Sequence, residues 1–279
     1  MSADPKERFL RTVIEHPNAW RQQYDRWRQI NVVRGDDVGD NYPWVANRHA
    51  PFTPARRALP MLNLALVSSA GGYVDGTEPF DTSAPGGDLS FREIPVEVEA
   101  VDLRWSARGY DPAAVAEDRN AQVPIERLQE FEGNGIIGQL NPVWWSLCGF
   151  LPDARAFAEG TLPRLVERVR RYEVQAALLV PASALCHQTL ALAARALEAA
   201  GIPTMMLAVE RDTVEAVRPP RAAYYRGELG CVAGRPSWPE HQRRILDEAL
   251  RLVEPVDQPS VRNLVVNLET DVEVARGER

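Results

Sequence analysis

Residues 174 to 209 constrain the fold of this chain more than any other stretch. Val174-Gln-Ala-Ala-Leu-Leu-Val180 is an apolar run of strand length. From Cys186 to Ala200, Leu190, Ala193, Ala194 and Leu197 recur at helical spacing, and Gly201 stands where a left-handed C-terminal residue is expected. Pro203-Thr-Met-Met-Leu-Ala-Val209 then reads as a second buried strand. Strand, loop, helix and strand this closely spaced predict a right-handed parallel unit whose first loop opens at the carboxyl end of a sheet. That loop carries Ser183, Cys186 and His187. Ligands bind at such places in open α/β sheets, so these three are the candidate catalytic residues.

The rest of the chain is organised around this unit. Residues 1–57 predict an N-terminal helical extension, because Glu7 to Ile14 and Trp20 to Ile30 space bulky apolar residues three, four and seven apart. The two helices either pack on the main body or, being rich in Trp, Tyr and Arg, form a homodimer, partner-subunit or lid contact. The Pro-rich loop after them contains His49, read as solvated or locally hydrogen-bonded. Residues 58–150 predict a first α/β lobe. Leu62 to Val67 is its first strand, and Ser68-Ser69-Ala70-Gly71-Gly72 is a loop of small residues that lets backbone amides approach an anion such as a carboxylate.

Between Thr77 and Tyr110 polar and turn residues dominate, with a partial strand at Val98 to Leu103. A loop this long in a compact domain is functional or hides strands. Its charged residues Asp81, Arg92 and Glu93 are candidate substrate contacts. Pro124 to Phe131 predicts an amphipathic helix. The glycines at 133, 135 and 138 follow a helix and lack the G-x-G-x-x-G order, so no dinucleotide site is expected. Asn141 to Phe150 reads as a buried connection in which Cys148 packs as a small hydrophobe.

Residues 151–254 predict the second lobe. Thr161 to Tyr172 reads as a Thr-capped helix feeding the central strand, and Glu240 to Val253 as a closing amphipathic helix. Between them Arg218 and Arg221 flank a rigid diproline and form a candidate carboxylate clamp. Residues 255–279 predict a tail with a short extended piece at Leu264 to Leu268 and a fraying charged end. The expected fold class is thus α/β, with two related lobes of parallel sheet flanked by helices behind an N-terminal helical extension.

Three cysteines at positions 148, 186 and 231 have no metal-like spacing, so neither a zinc site nor a disulfide scaffold is expected. A formal net charge of −7 argues against nucleic-acid binding. No signal-peptide core stands at the start, and no apolar run approaches the roughly 20 residues that cross a bilayer, so a cytoplasmic protein without membrane contact is expected.

A series of short motifs in fixed order carries a resemblance. Glu78-Pro79-Phe80-Asp81, Ser90-Phe91-Arg92-Glu93-Ile94-Pro95, Tyr110-Asp111, Arg127-Leu128, Gly135-Ile-Ile-Gly138, Gly149-Phe150-Leu-Pro152, Cys186-His187-Gln188, Ala200-Gly201-Ile202-Pro203-Thr204 and Val217-Arg218-Pro219-Pro220-Arg221-Ala222 resemble the glycine/sarcosine/betaine reductase selenoprotein B family, which includes D-proline reductase. The likeness runs from about Pro60 to Val253. It implies an α/β fold of two related lobes and a reaction in which a selenocysteine, or a Cys in its place, attacks carbon next to a carboxylate and cleaves a C–N bond. A second Cys three residues later resolves the product state. By this resemblance Ser183 stands at the selenocysteine position and Cys186 at the later one. A hydroxyl is a far poorer soft nucleophile than a selenol, and Ser183 with Cys186 cannot form a disulfide.

Two function classes follow. In one, Cys186 is the thiol of an enzyme, assisted by His187 and Ser183, on a small amino- or carboxyl-bearing substrate. Its binding residues are Ser68, Ser69, Gly71, Gly72, Asp81, Arg92, Glu93, Tyr110, Arg218 and Arg221. It needs no bound cofactor or metal beyond an external thiol reductant, and reacts by reductive cleavage or a lyase or isomerase variant. In the other, the chain is a binding protein or partner subunit that has lost its nucleophile at Ser183. A pocket enclosed by Ser69, Cys186 and Arg218 favours the first, and a sealed Cys186 the second.

Overall fold

The computed structural model describes residues 4–31, 38–39, 41–266, 272–273 and 275–276. The N-terminal helices are α1 (Pro5–Val13) and α2 (Pro17–Ile30), each starting on a proline that pre-sets the first helical φ. The chain then lays down β1 (Asn63–Ser68), β2 (Gly72–Val74), β3 (Phe91–Pro95), β4 (Leu103–Trp105), α3 (Ala113–Glu117), α4 (Ile125–Gly133), β5 (Gln139–Leu140) and β6 (Val143–Leu147). The second half adds α5 (Ala154–Ala156), a π-helical turn (Phe157–Thr161), α6 (Leu162–Arg171), β7 (Ala176–Val180), α7 (Ala184–Ala199), β8 (Thr204–Ala208), α8 (Arg211–Val217), β9 (Arg221–Tyr224), α9 (Pro239–Arg251) and β10 (Ser260–Asn263).

Strands from both halves lie in one sheet of order β10-β9-β8-β7-β1-β6-β3, with β5 pairing beside β6 along β1. All neighbours are parallel except the edge strand β3, which is antiparallel to β6. The segment Asn141 to Phe150, read as a connection, is therefore largely the sheet strand β6. Its residues Trp144, Trp145, Ser146 and Leu147 are all buried, so it shows no alternation to read. The partial strand placed at Val98 to Leu103 is a 3₁₀ turn at Ala100–Asp102 leading into β4, which pairs with β2 in a separate ribbon. Thr161 does not cap α6. Its hydroxyl donates to the Leu89 carbonyl, while Asp153 caps the turn upstream by accepting from the Ala156 N–H. The tail extends as β10 at Ser260–Asn263, and positions 267 and 268 lie outside the described residues.

Alternation along the strands sorts the core into two faces. Leu64, Leu66, Trp144, Leu178 and Val180 face α4 and α9, whose Leu128, Phe131, Ile245 and Leu246 cover them. Ala65, Val67, Trp145, Leu147, Ala177 and Leu179 face α6, α7 and the N-terminal helices. Helix α7 is buried all round because α1 and the 42–53 arm lie over its outer side. Leu10, Val13, Ile14, Trp20, Tyr24 and Trp27 thus bury the apolar face of the N-terminal extension on its own chain. Trp20, Tyr24, Trp27, Tyr42 and Trp44 form a continuous aromatic series with successive ring centroids 4.9 to 5.7 Å apart.

The arm is fastened by polar contacts. Gln188 of α7 accepts the Val45 N–H at 2.8 Å and donates to the Tyr42 hydroxyl at 2.9 Å. Asn47 donates to the Val217 carbonyl at 2.8 Å. Arg195, almost completely buried, donates to the carbonyls of Val13, His49, Arg218 and Thr12.

Candidate functional site

The connection after β1 leaves across the α4 face, and the connection after β7 leaves across the α7 face. The adjacent carboxyl ends of β1 and β7 therefore form a topological switch point, the crevice where α/β sheets bind ligands. Ser183 is the N-cap of the 16-residue helix α7, its hydroxyl accepting the Cys186 N–H at 3.1 Å. Cys186 follows in the first turn.

The thiol itself is sealed. Cys186 is 0% exposed, and its Sγ lies 3.9 Å from the Ser69 carbonyl. A Cβ on Gly149 would come within 2.8 Å of that Sγ and closer still to Ser69, so only glycine fits there. Ser69 Oγ accepts the Ala182 N–H at 3.0 Å, the Gly149 N–H donates to the Ser69 carbonyl at 3.3 Å, and Thr189 Oγ donates to the Gly149 carbonyl at 2.7 Å. Three loops are thereby stitched together over the sulfur.

His187 is likewise absorbed into the fold. Its Nδ1 bonds the Ser183 carbonyl at 2.7 Å, and Nε2 accepts the Val209 N–H at 3.1 Å, tying the start of α7 to the end of β8. This pattern assigns the neutral Nδ1–H tautomer. Burial pushes the imidazole pKa down to about 4, below the ordinary 6.5. Below pH 6.5 the unfolded chain takes up a proton that the folded one refuses, so the stability His187 contributes is complete above that pH and drains as pH falls toward 4. We expect a loss of about 2 kcal/mol between pH 7 and pH 5 from this group. Urea unfolding at both pH values measures it, and His187→Gln should flatten that part of the profile.

Of the candidate substrate contacts, Ser68, Ser69, Gly71 and Tyr110 gather at the crevice. The loop amides expected to cradle an anion are already committed. Ser69 N–H donates to Val180, Gly71 N–H to Leu147, and the Ala70 N–H points to Ser68 Oγ at 3.4 Å. Gly71 has φ +68° and no room for a Cβ beside the Ser106 carbonyl, and Gly72 enters β2 against Trp105 and Trp144. Tyr110 donates to the Ala70 carbonyl at 2.6 Å, and burial, reinforced by the neighbouring Cys186 and Cys148, raises its pKa well above 10. Cys148 is pushed up to about 12 by burial and by Cys186.

The remaining candidates lie elsewhere. Asp81 caps its own loop through Ser83 and Ala84. Arg92 covers the Phe80 ring at 4.2 Å, and Glu93 on edge strand β3 pairs with Arg168 and accepts from Trp145. Arg218 and Arg221 do not meet Cys186, because α8 carries the chain back across the sheet and leaves both at the amino-terminal edge. Arg218 there donates to the Arg48 carbonyl, and Arg221 is buried against Glu198. Ser69 and Cys186 on one side and Arg218 on the other thus lie in two separate environments, and they do not enclose the pocket that would favour the thiol-enzyme class.

A cleft of about 380 Å³ opens instead beside Ser183, on the α7 face. Its walls are Tyr42 and Trp44 from the N-terminal arm, Gly109, Phe150, and Ala184 and Leu185 at the start of α7. The Arg108 guanidinium lies 4.5 Å from the Phe150 ring centre and donates to the Ala84 carbonyl. Tyr42, Trp44, Gly109 and Phe150 were not among the expected site residues. The only local signal for them is the aromatic density around Pro43. A larger groove of about 890 Å³ between α1 and the π turn holds none of the expected site residues. Among the described residues no group of His, Cys, Asp and Glu is arranged to hold a metal, and no helix is long and apolar enough to cross a membrane.

Comparison with known proteins places this geometry in a lineage. Residues 30–182 match the family model of glycine/sarcosine/betaine reductase selenoprotein B, a match that ends immediately before Ser183. The chain is 31% identical over 214 residues to the D-proline reductase subunit gamma of Acetoanaerobium sticklandii, covering 77% of this chain and 86% of that protein. It is 28% identical over 187 residues to the glycine reductase complex component B subunit gamma of Symbiobacterium thermophilum, and 27% identical over 188 residues to the sarcosine reductase complex component B subunit beta of Peptoclostridium acidaminophilum. Those alignments cover 63% and 64% of this chain and 41% of each relative. No solved structure matches. The switch-point loop, its capped helix and these relatives together make the chain a member of the glycine/sarcosine/betaine reductase selenoprotein B family.

Proposed function

We propose that the chain is a substrate-handling subunit of a reductase-type assembly, taking a small amino- and carboxyl-bearing compound in the cleft at the start of α7. The observation that carries this reading is the split at that helix. Ser183, at the position read as the family's selenocysteine, lines the cleft although only 1% exposed, while Cys186 lies beneath it at 0% and lines no part of it. The half-buried Trp44 ring suits an ammonium group, and the α7 N-terminus suits a carboxylate. The chain's only lysine, Lys6, is on α1, away from this cleft, so an amine nucleophile is not at hand there. Three unpaired cysteines suit a reducing cytoplasm.

A second reading keeps Cys186 as a reagent, favoured by its place in the first turn of α7 beside Tyr110. In it the thiolate displaces an amine from carbon, an external thiol then attacks the Cys186 sulfur, and the released carbon takes a proton as the disulfide forms. Loop opening has to precede such a step.

Calorimetric titration of the chain with glycine, D-proline and betaine tests the first reading. At least one is expected to bind saturably, and Trp44→Ala should weaken it by tenfold or more. Absence of binding by all three, or equal binding by the variant, sinks the reading.

A further inference from the structure

Residues 107–111 run between the Ser183 cleft and the Cys186 thiol. On the cleft side Gly109 lines the cavity together with Ser183 and Phe150. A Cβ at Gly109 would stand 2.6 Å from the Phe150 ring and 3.2 Å from Ser183 Oγ. On the other side the next residue, Tyr110, donates to the Ala70 carbonyl at 2.6 Å. The adjacent Ser69 carbonyl faces the Cys186 sulfur at 3.9 Å, and Tyr110 neighbours both that sulfur and the sulfur of Cys148. A step of one residue thus carries the chain from the wall of the cleft to the cover of the thiol.

The main chain of this segment is weakly tied. Among the described residues, Ala107, Gly109, Tyr110 and Asp111 take no part in a backbone–backbone hydrogen bond, whereas Ser106 before them and Pro112 after them do. Side chains hold the segment instead. Arg108 donates to the Ala84 carbonyl at 2.6 Å and covers the Phe150 ring, and Tyr110 holds Ala70. Gly230 stands against the Tyr110 ring, where a Cβ would come within 2.8 Å of the Asp111 carbonyl oxygen and 3.3 Å of the ring. Its N–H donates to the Ala182 carbonyl at 2.9 Å. Local opening costs least where few main-chain hydrogen bonds have to break.

We infer that residues 107–111 form a strap latched by the Tyr110 hydroxyl, and that lifting this strap joins the cleft and Cys186 into one chamber. The latch fastens Ala70, in the same loop as the Ser69 carbonyl that faces the sulfur. Releasing it therefore loosens the cover of the thiol on that side and withdraws Gly109 from the cleft wall in one movement. This is the opening on which the second reading rests, but access to the thiol is measured without any turnover.

Iodoacetamide labelling of Cys186 in the full native chain, read by peptide mass spectrometry, tests the strap. Tyr110→Phe keeps the ring and removes the latch, and should speed labelling about fivefold. Gly109→Ala leaves the Tyr110 hydroxyl in place and pushes on the strap from the cleft side, at a φ of +80°, and should speed labelling as well. Gly201→Ala is the control. Its φ is +89° with nothing within 4 Å of the added Cβ, so it carries similar backbone strain far from the strap and should label as the wild type does. The strap is ruled out if Tyr110→Phe labels no faster than the wild type, or if Gly201→Ala is accelerated as much as the strap variants, which would mean that reagent enters by unfolding of the whole chain. Faster labelling in the strap variants alone, with no turnover of glycine, D-proline or betaine alongside an external thiol, would keep the strap and sink the second reading.

Discussion

Ser183→Cys is expected to turn a protein whose thiols resist alkylation in the native state into one that iodoacetamide labels at position 183 near neutral pH. All three native cysteines are at most 5% exposed, and burial raises Cys148 to about 12 and Cys231 to about 11. Reagent reaches such groups only through opening of the fold. Ser183 is itself only 1% exposed, but unlike Cys186 it lines the cleft, and it sits at the N-cap of α7, where the helix dipole and unsatisfied N–H groups favour a thiolate. We expect labelling at 183 to exceed that of Cys186 in the wild type, because exposing the cleft wall is a smaller opening than undoing the loops stitched over Cys186. Loss of the hydroxyl cap costs about 1 kcal/mol, too little to unfold the chain. Peptide mass spectrometry across a pH series reads both sites. Native labelling of wild-type Cys186 that saturates well below pH 8.5 would instead establish the thiol as the reactive group.

The largest effect on stability should come from Glu198→Ala, far from the cleft. Glu198 and Arg221 are completely buried and paired with one another. The carboxylate also accepts the Thr53 N–H, the Thr204 N–H at 2.8 Å and the Thr204 hydroxyl at 3.1 Å. Arg221 in turn donates to the Thr53 carbonyl and lies 4.1 Å from the Phe52 ring centre. Removing the acid leaves a guanidinium without its counter-charge, two orphaned amides and a cavity. The expected cost is about 3–5 kcal/mol, or roughly 10 °C in melting midpoint for a chain of this size. Denaturant unfolding with an unchanged m-value checks it. A double replacement by Glu198→Leu and Arg221→Met should recover most of the loss, because it removes both charges together. If Glu198→Ala melts within 2 °C of the wild type, the pair is not the fastening point that its burial implies.

The central unit was legible because its signals are local and agree. Uniform apolar runs gave β7 and β8, the Ser183 cap and Gly201 bounded α7, and the carboxyl end of β7 did open into the crevice. Strands β3 and β6 were hidden for opposite reasons. Trp144 to Leu147 are buried on both faces and do not alternate, whereas Arg92 and Glu93 put charge into an edge strand that pattern reading treats as loop. The arginine clamp failed on topology. Seven residues of α8 suffice to move Arg218 from one end of the sheet to the other, and no local pattern reports that displacement. Tyr42 and Trp44 in the wall of the cleft lie more than 100 positions from Ser183 and reach it through Gln188 and the core, so they were beyond the reach of a reading based on spacing.

The way the 42–53 arm is tied to α7 and α8 has a consequence during synthesis. The partners of Val45, Asn47 and Thr53 are Gln188, Val217 and Glu198, so the 42–53 arm cannot finish docking until most of the chain has left the ribosome. Until then the indole and phenol rings of Trp20, Tyr24 and Trp27 lack their native cover. The cleft, whose wall this arm supplies, is completed only once α7 has emerged, and a chain truncated before that helix would present that aromatic surface to any chaperone that binds exposed apolar side chains.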